Sequence, residues 1–256
     1  MKFLILTQFF PPEVGAAQSR LGLLSLELVR QGHVVEVVTA FPNYPEGKIQ
    51  PGYHGLSQTG QWKGIKVHRF WIYAATGKGF ERLVNYLSFM ITCLGGLNKI
   101  QKPDVILVNT GPLFLSIPGW IYSLKFKAPM ILNVADLWPR SVEHLQGLGM
   151  SVGMKLAEAL ESWSYARSQA VNAVTEGIRN VLVKEKSLPA RKVLFLPNAI
   201  DLRAKPEPDH VQLLRKRLDL NGKFVLISSA ARFEAPYGLM GSSLSVSRAT
   251  PDGTSP

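Results

Sequence analysis

The 256-residue chain has a single cysteine, Cys93, which excludes an internal disulfide framework and fits a reducing compartment. No G-x-G-x-x-G follows its first apolar run, and "TAFPNYPEG" stands where a ribose-binding acid would follow the second. An NAD-dependent enzyme is therefore disfavoured. A Walker-type G-x-x-x-x-G-K-[ST] is absent too. The histidines (His33, His54, His68, His144, His210) are scattered without metal-ligand spacing, so no metal site is expected. Helix-turn-helix, zinc-finger and RNP-type signatures are missing, which makes nucleic acid a poor partner. Uninterrupted membrane spans are missing as well. Residues 105–124 carry no charge, but Asn109-Thr110-Gly111-Pro112 and Pro118 break the run. Residues 83–98 are short for a span and contain Gly95-Gly96. Thr7, Gln8 and two prolines argue against a signal peptide, so the expectation is a cytoplasmic protein.

What the chain does have is positive charge. Lys and Arg number 29 against 18 acids, a formal net charge of +11 that attracts anions. Between Lys63 and Arg82 lie Lys63, Lys66, Arg69, Lys78 and Arg82 with one acid, Glu81, interleaved with Trp62, Phe70, Trp71, Tyr73 and Phe80. Two readings stay open for this stretch: a solvated strand and loop with core aromatics, or a peripheral patch for an anionic membrane or lipid phosphate.

Strand-like and helix-like segments alternate. "KFLILT" (2–7) is apolar throughout, as in a strand covered on both faces. Leu21, Leu24 and Leu28 form a helical stripe, closed by Gly32. Strands follow at 34–40, 65–71, 104–109, 129–135, 170–175 and 192–197, with helices near 80–100, 112–126 and 176–186. A further helix, capped by Ser151, runs through Trp163. This order predicts an α/β, Rossmann-like, doubly wound parallel sheet with helices on both faces over residues 1–200. Residues 201–230 read as a linker and the aborted start of a second domain. Residues 231–256, rich in Ser, Gly and Pro, read as a disordered tail.

In such a sheet, ligands gather at the carboxyl ends of the strands. There the first strand runs into "FFPPEVGAAQSR". Gly15 and the amides from Ala16 onward make a candidate phosphate cradle at a helix N-terminus, the alternative being a plain strand-to-helix turn.

The segments "PPEVGAAQSRLGLLSLELVRQGHVVEVVTAFPNYPEG", "VADLWPRSV" and "LPNAID" resemble the N-terminal half of family 4 glycosyltransferases. The type they resemble builds bacterial surface polysaccharides such as colanic acid or O-antigen, and the likeness runs from Met1 to about Leu226. It implies the acceptor-side half of a GT-B fold, with Gly15 and Ala16 beside the donor phosphates. It also implies acceptor binding by Glu13, Arg20, Asn43 and Arg140, with Arg20 pairing with phosphate and Arg140 with an acceptor phosphate; Arg20 has the alternative of a surface arginine. Asp136 would orient or deprotonate an acceptor hydroxyl, or else serve as an N-cap or turn partner beside Trp138-Pro139. Asn198 and Asp201 would fix a hinge. The implied reaction is retaining transfer from a nucleotide sugar, with no metal or other cofactor, to a lipid-linked or glycan acceptor. The donor-binding domain, about 150 residues on typical sizes, is expected to be missing. The chain would then be inactive alone. The alternative is a non-catalytic acceptor-binding module at a membrane surface, or one subunit of a split transferase.

Overall fold

Consecutive apolar residues Leu4-Ile5-Leu6 leave their strand no face to expose, and all three are buried. The computed structural model describes residues 1–76, 79–137, 150–198, 208–220, 222, 227–228 and 245–246. The first strand, β1 (Lys2–Leu6), leads through α1 (Ala16–Arg30) to β2 (Val34–Ala40). A hairpin follows, β3 (Ser57–Trp62) and β4 (Ile65–Phe70), then α2 (Phe80–Thr92). The chain returns as β5 (Val105–Asn109), α3 (Ser116–Phe126) and β6 (Met130–Val134). It continues with α4 (Met150–Arg167), β7 (Ala170–Ala173), α5 (Glu176–Asn180) and β8 (Val193–Phe195).

These strands form one eight-stranded sheet in the order β3-β4-β2-β1-β5-β6-β7-β8. Ile5 pairs with Val37 of β2 on one side and Leu107 of β5 on the other, both in parallel register. The strand order therefore reverses at β1. Right-handed crossovers on opposite sides of β1 must put their helices on opposite faces. One face carries Ile5, Val37 and Val67 under Leu21 of α1. The other carries Leu6, Val38, Val108, Leu132 and Val171 under Phe89 of α2, Tyr122 of α3, Tyr165 of α4 and Ile178 of α5. Each such side chain contributes about 1.5–3 kcal/mol on burial.

Three details differ from the expectation. The sheet is mixed, because β3 joins β4 antiparallel through a two-residue turn, Lys63-Gly64, with φ of 47° and 83°. That pair of positive φ values matches the strand twist, and Lys-Gly was the overlooked signal for it. Next, α4 begins at Met150, so Ser151 lies inside it rather than capping it. Finally, Ser245–Val246, in the stretch read as disordered, pairs antiparallel with Ile227–Ser228.

The uncharged stretches resolve into β5 and α3 for one, and α2 with a 3-10 turn (Cys93–Asn98) for the other. No described helix is long and apolar enough to cross a membrane. The chain falls into two compact units, Met1–Ile200 and Asp201–Pro256; the second contains α6 (Pro208–Arg217).

Candidate functional site

A strand order that reverses at β1 opens a crevice between the loops leaving β1 and β5. The loop after β1 is braced from inside. Glu13 is buried, and its Oε1 accepts the amides of Asn43 at 2.8 Å and Tyr44 at 2.9 Å, while Oε2 accepts that of Phe10 at 3.4 Å. Burial raises the Glu13 carboxyl above its ordinary pKa, against the pull of these amides and of the Arg69 charge.

Arg69 does the complementary work. Its Nη1 donates to the Ala40 carbonyl at 3.3 Å and its Nη2 to the Pro11 carbonyl, with the guanidinium over the Tyr53 ring. One buried carboxylate thus gathers N–H groups and one buried guanidinium gathers carbonyls, tying the β1 and β2 loops together. Asn43 belongs to the same brace, with its Nδ2 donating to the Phe41 carbonyl at 2.9 Å. The basic stretch, for which a strand with core aromatics and a surface patch both stayed open, is accordingly divided. Arg69 and Phe70 are buried, whereas Lys66, Tyr73, Phe80 and Arg82 are exposed.

Gly15 is the N-cap of α1, and no side chain caps that end. Its φ of 168° is ordinary extended backbone. A Cβ here would meet Gln18 Oε1 at 2.5 Å, the far end of a flexible side chain. Glycine is therefore not demanded by the turn itself. The amides of Ala16 and Ala17 in the first turn make no hydrogen bond to other described residues, and the helix dipole adds to the positive potential there.

One turn further along α1, Arg20 reaches across the crevice. Its Nη2 donates to Asn109 Oδ1 at 2.9 Å and its Nη1 to Asn198 Oδ1 at 3.2 Å, while the buried Nε finds no partner among the described residues. Burial lowers its pKa from the ordinary value, and the nearby Asp136 carboxylate works the other way. Asp136 itself is exposed just beyond β6.

Behind Arg20 runs a ladder of amides. Asn109, Asn133 and Asn172 stand in register on β5, β6 and β7. Asn133 Nδ2 donates to Asn109 Oδ1 at 3.0 Å, and Asn172 Nδ2 to Asn133 Oδ1 at 2.8 Å. Asn172 Oδ1 then accepts the Leu196 amide at 2.7 Å. All three asparagines are buried. The sequence reading missed them, although "VILVN", "MILNV" and "AVNAV" each carry an asparagine at or next to the end of an apolar strand.

The structure therefore brings Arg20, Asp136 and Asn198 together at the carboxyl end of the sheet, with the Gly15–Ala16 turn preceding Arg20 on α1. Glu13 and Asn43 lie inside the neighbouring loop brace. Arg140 and Asp201 fall outside the described residues. Groups of three or more His, Cys, Asp and Glu side chains that could hold a metal do not occur among the described residues.

A Rossmann-like sheet whose polar groups collect at the switch point is the architecture of the N-terminal half of a GT-B glycosyltransferase. Residues 15–199 match the family described as Glycosyl transferase 4-like domain, and the chain belongs to that family. It is 28% identical over 241 residues to the colanic acid biosynthesis glycosyl transferase WcaI of Escherichia coli (strain K12). That alignment covers 89% of this chain and 58% of the relative, so the chain spans a little over half the relative's length. Among solved structures it is similar to the catalytic domain of starch synthase IV from Arabidopsis thaliana bound to ADP and acarbose. There the TM-score is 0.59 at 17% identity, over 86% of this chain and 59% of the other. It is also similar to Anabaena HepE in complex with UDP and glucose, with a TM-score of 0.52 at 16% identity over 88% and 52% of the two chains.

Proposed function

We propose that these residues form the acceptor-side half of a retaining glycosyltransferase of cell-surface polysaccharide synthesis. In the whole enzyme, a sugar passes from a nucleotide sugar to a lipid-linked or glycan acceptor. The observation that carries this reading is Arg20, whose guanidinium is held in the crevice by neutral amides with one N–H unpartnered. Its charge is oriented by these amides, with the Asp136 carboxylate nearby but not hydrogen-bonded to it, and the uncapped first turn of α1 adds to the positive potential. Stabilising a departing diphosphate demands this kind of fixed positive potential.

In this reading Gly15 and Ala16 face the donor phosphates, and Arg20 and Arg140 take phosphate oxygens. Asp136 orients or deprotonates the acceptor hydroxyl. Glu13 and Asn43 shape the acceptor wall through the loops they brace, and Asn198 and Asp201 serve the hinge. Phosphate charge is carried by guanidinium and amide groups, with no metal required. The donor-side groups lie beyond these 256 residues in the reading, so this chain alone is expected to give no turnover with a panel of nucleotide sugars.

Titration of the chain with inorganic pyrophosphate and with UDP tests the anion site. Arg20→Ala is expected to weaken pyrophosphate binding roughly 10- to 100-fold, the worth of charged hydrogen bonds. Equal affinity for the two chains would remove Arg20 from the site.

Exposed Phe80, Leu83 and Arg82 at the start of α2 favour a second element of the reading, peripheral contact with anionic lipid on the cytoplasmic membrane face. Sedimentation with anionic liposomes at low salt checks it, and a chain that stays in the supernatant argues against it.

A further inference from the structure

Beside the braced loop, on the α1 face of the hairpin, lies an open groove of about 510 Å³. Small-molecule clefts span about 300–1,000 Å³. Tyr53 and Trp62 line it, and Pro12 joins it to the loop that leads to Gly15. Gly60 stands between them on the edge strand β3, directly opposite Val67 of β4. A glycine inside a strand weakens it and commonly marks a close approach by a ligand. Here a Cβ at Gly60 would meet no heavy atom within 4 Å, so the missing side chain is space left open rather than a packing requirement.

Polar groups complete the lining. Gln58, in register with Arg69, gives its Nε2 to the Gly52 carbonyl at 3.3 Å and lies 3.2 Å from His54 Nδ1, while its Oε1 makes no hydrogen bond to other described residues. Arg69 closes the inner end with its N–H groups already on the Pro11 and Ala40 carbonyls. Aromatic rings for C–H faces, with a free amide oxygen on Gln58 beside them, suit a pyranose, which has an apolar ring face and a rim of hydroxyls.

We propose that this groove is a subsite for a pyranosyl unit of the acceptor glycan, set away from the reacting end and reached past Pro12. The proposal rests on the acceptor-side reading above and gives it a place for the body of the glycan.

The test is a titration of the 15N-labelled chain, followed by NMR, with trisaccharides of gluco, galacto and manno configuration and one ending in a uronic acid. These probes sample the stereochemistry and charge that the lining leaves open. At least one is expected to shift the Trp62 indole N–H and the Gly60 amide in a saturable way. Gly60→Leu fills the groove and is expected to weaken that binding at least tenfold, with the unfolding midpoint of the chain serving as the control for folding. Gln58→Ala is expected to weaken it about threefold. The subsite is overturned if no trisaccharide moves the Trp62 signal, or if Gly60→Leu binds as tightly as the parent chain. The pyrophosphate titration separates the two claims. Pyrophosphate binding without trisaccharide binding removes the subsite and leaves the Arg20 reading, whereas the reverse pattern removes the Arg20 reading and leaves a saccharide groove.

Discussion

The two halves of the sheet, on either side of β1, handle an enclosed arginine differently, Arg69 being buried and Arg20 half-buried. In the β2–β4 half, Arg69 lies near a buried carboxylate, Glu13, and both are taken up by backbone groups of the loops they pin. In the β5–β8 half, Arg20 leans on side-chain amides of Asn109 and Asn198. Arg69 spends its donors on loop carbonyls beside a buried carboxylate, whereas Arg20 keeps a buried Nε–H without a partner among the described residues and has only the exposed Asp136 carboxylate nearby. The difference teaches which arginine is architecture and which is available to an anion.

The largest effect should come from breaking the first half. Arg69→Met leaves the Pro11 and Ala40 carbonyls without their donor and the buried Glu13 carboxylate without the nearby positive charge, and should cost about 3–5 kcal/mol in urea unfolding. A loss below about 1 kcal/mol would mean that the loops are held in some other way. Arg20→Met should cost less stability, yet reduce pyrophosphate affinity by the roughly 10- to 100-fold expected of Arg20→Ala. If the two variants swap profiles, the contrast between the halves is wrong.

Asn133→Leu removes the middle rung of the ladder and two amide hydrogen bonds, which should cost about 1–2 kcal/mol. Because Asn109 is then held from one side only, pyrophosphate affinity should also fall a few-fold. Unchanged affinity would make the ladder a purely internal support.

The smallest effects are pH slopes within the β2–β4 half. His68 is buried with Nε2 at 2.9 Å from Glu36 Oε2 and Nδ1 at 3.1 Å from Thr59 Oγ1. Burial lowers its pKa, Glu36 pulls it up, and Lys66 and Lys99 push it down. The unfolded chain therefore takes up the proton first as pH falls below the ordinary value of 6.5. Stability present above that value should decline as pH drops toward the folded pKa, and His68→Gln should flatten the decline. Glu13 carries the opposite sign. Its raised pKa means that stability declines as pH climbs from the ordinary 4.5 toward the folded value, and Glu13→Gln should remove that slope. Denaturant midpoints measured across pH would register both.

Much of the fold was legible beforehand. β1, β2, β4 to β8 and the helices between them follow from apolar runs and stripes, and Gly32 does end α1, with a φ of 83°. The overlooked strand β3, "SQTGQW", has no apolar alternation because it is an edge strand with exposed residues. Of the site, Gly15 was singled out by its place after a strand, and Arg20 and Asp136 by the family resemblance. Glu13 was also singled out, but its burial against three amides depends on a loop 30 residues away.

The sequence by itself determined the order of strands and helices, and the family, because apolar period, turn residues and short motifs are written locally along the chain. Only the tertiary structure decided which polar groups meet. Arg20 finds Asn109 across 89 residues, Asn109 finds Asn133 across 24, and Asn133 finds Asn172 across 39. Those meetings are set by strand order and register, and a parallel sheet built through crossovers places residues side by side that no spacing along the chain connects.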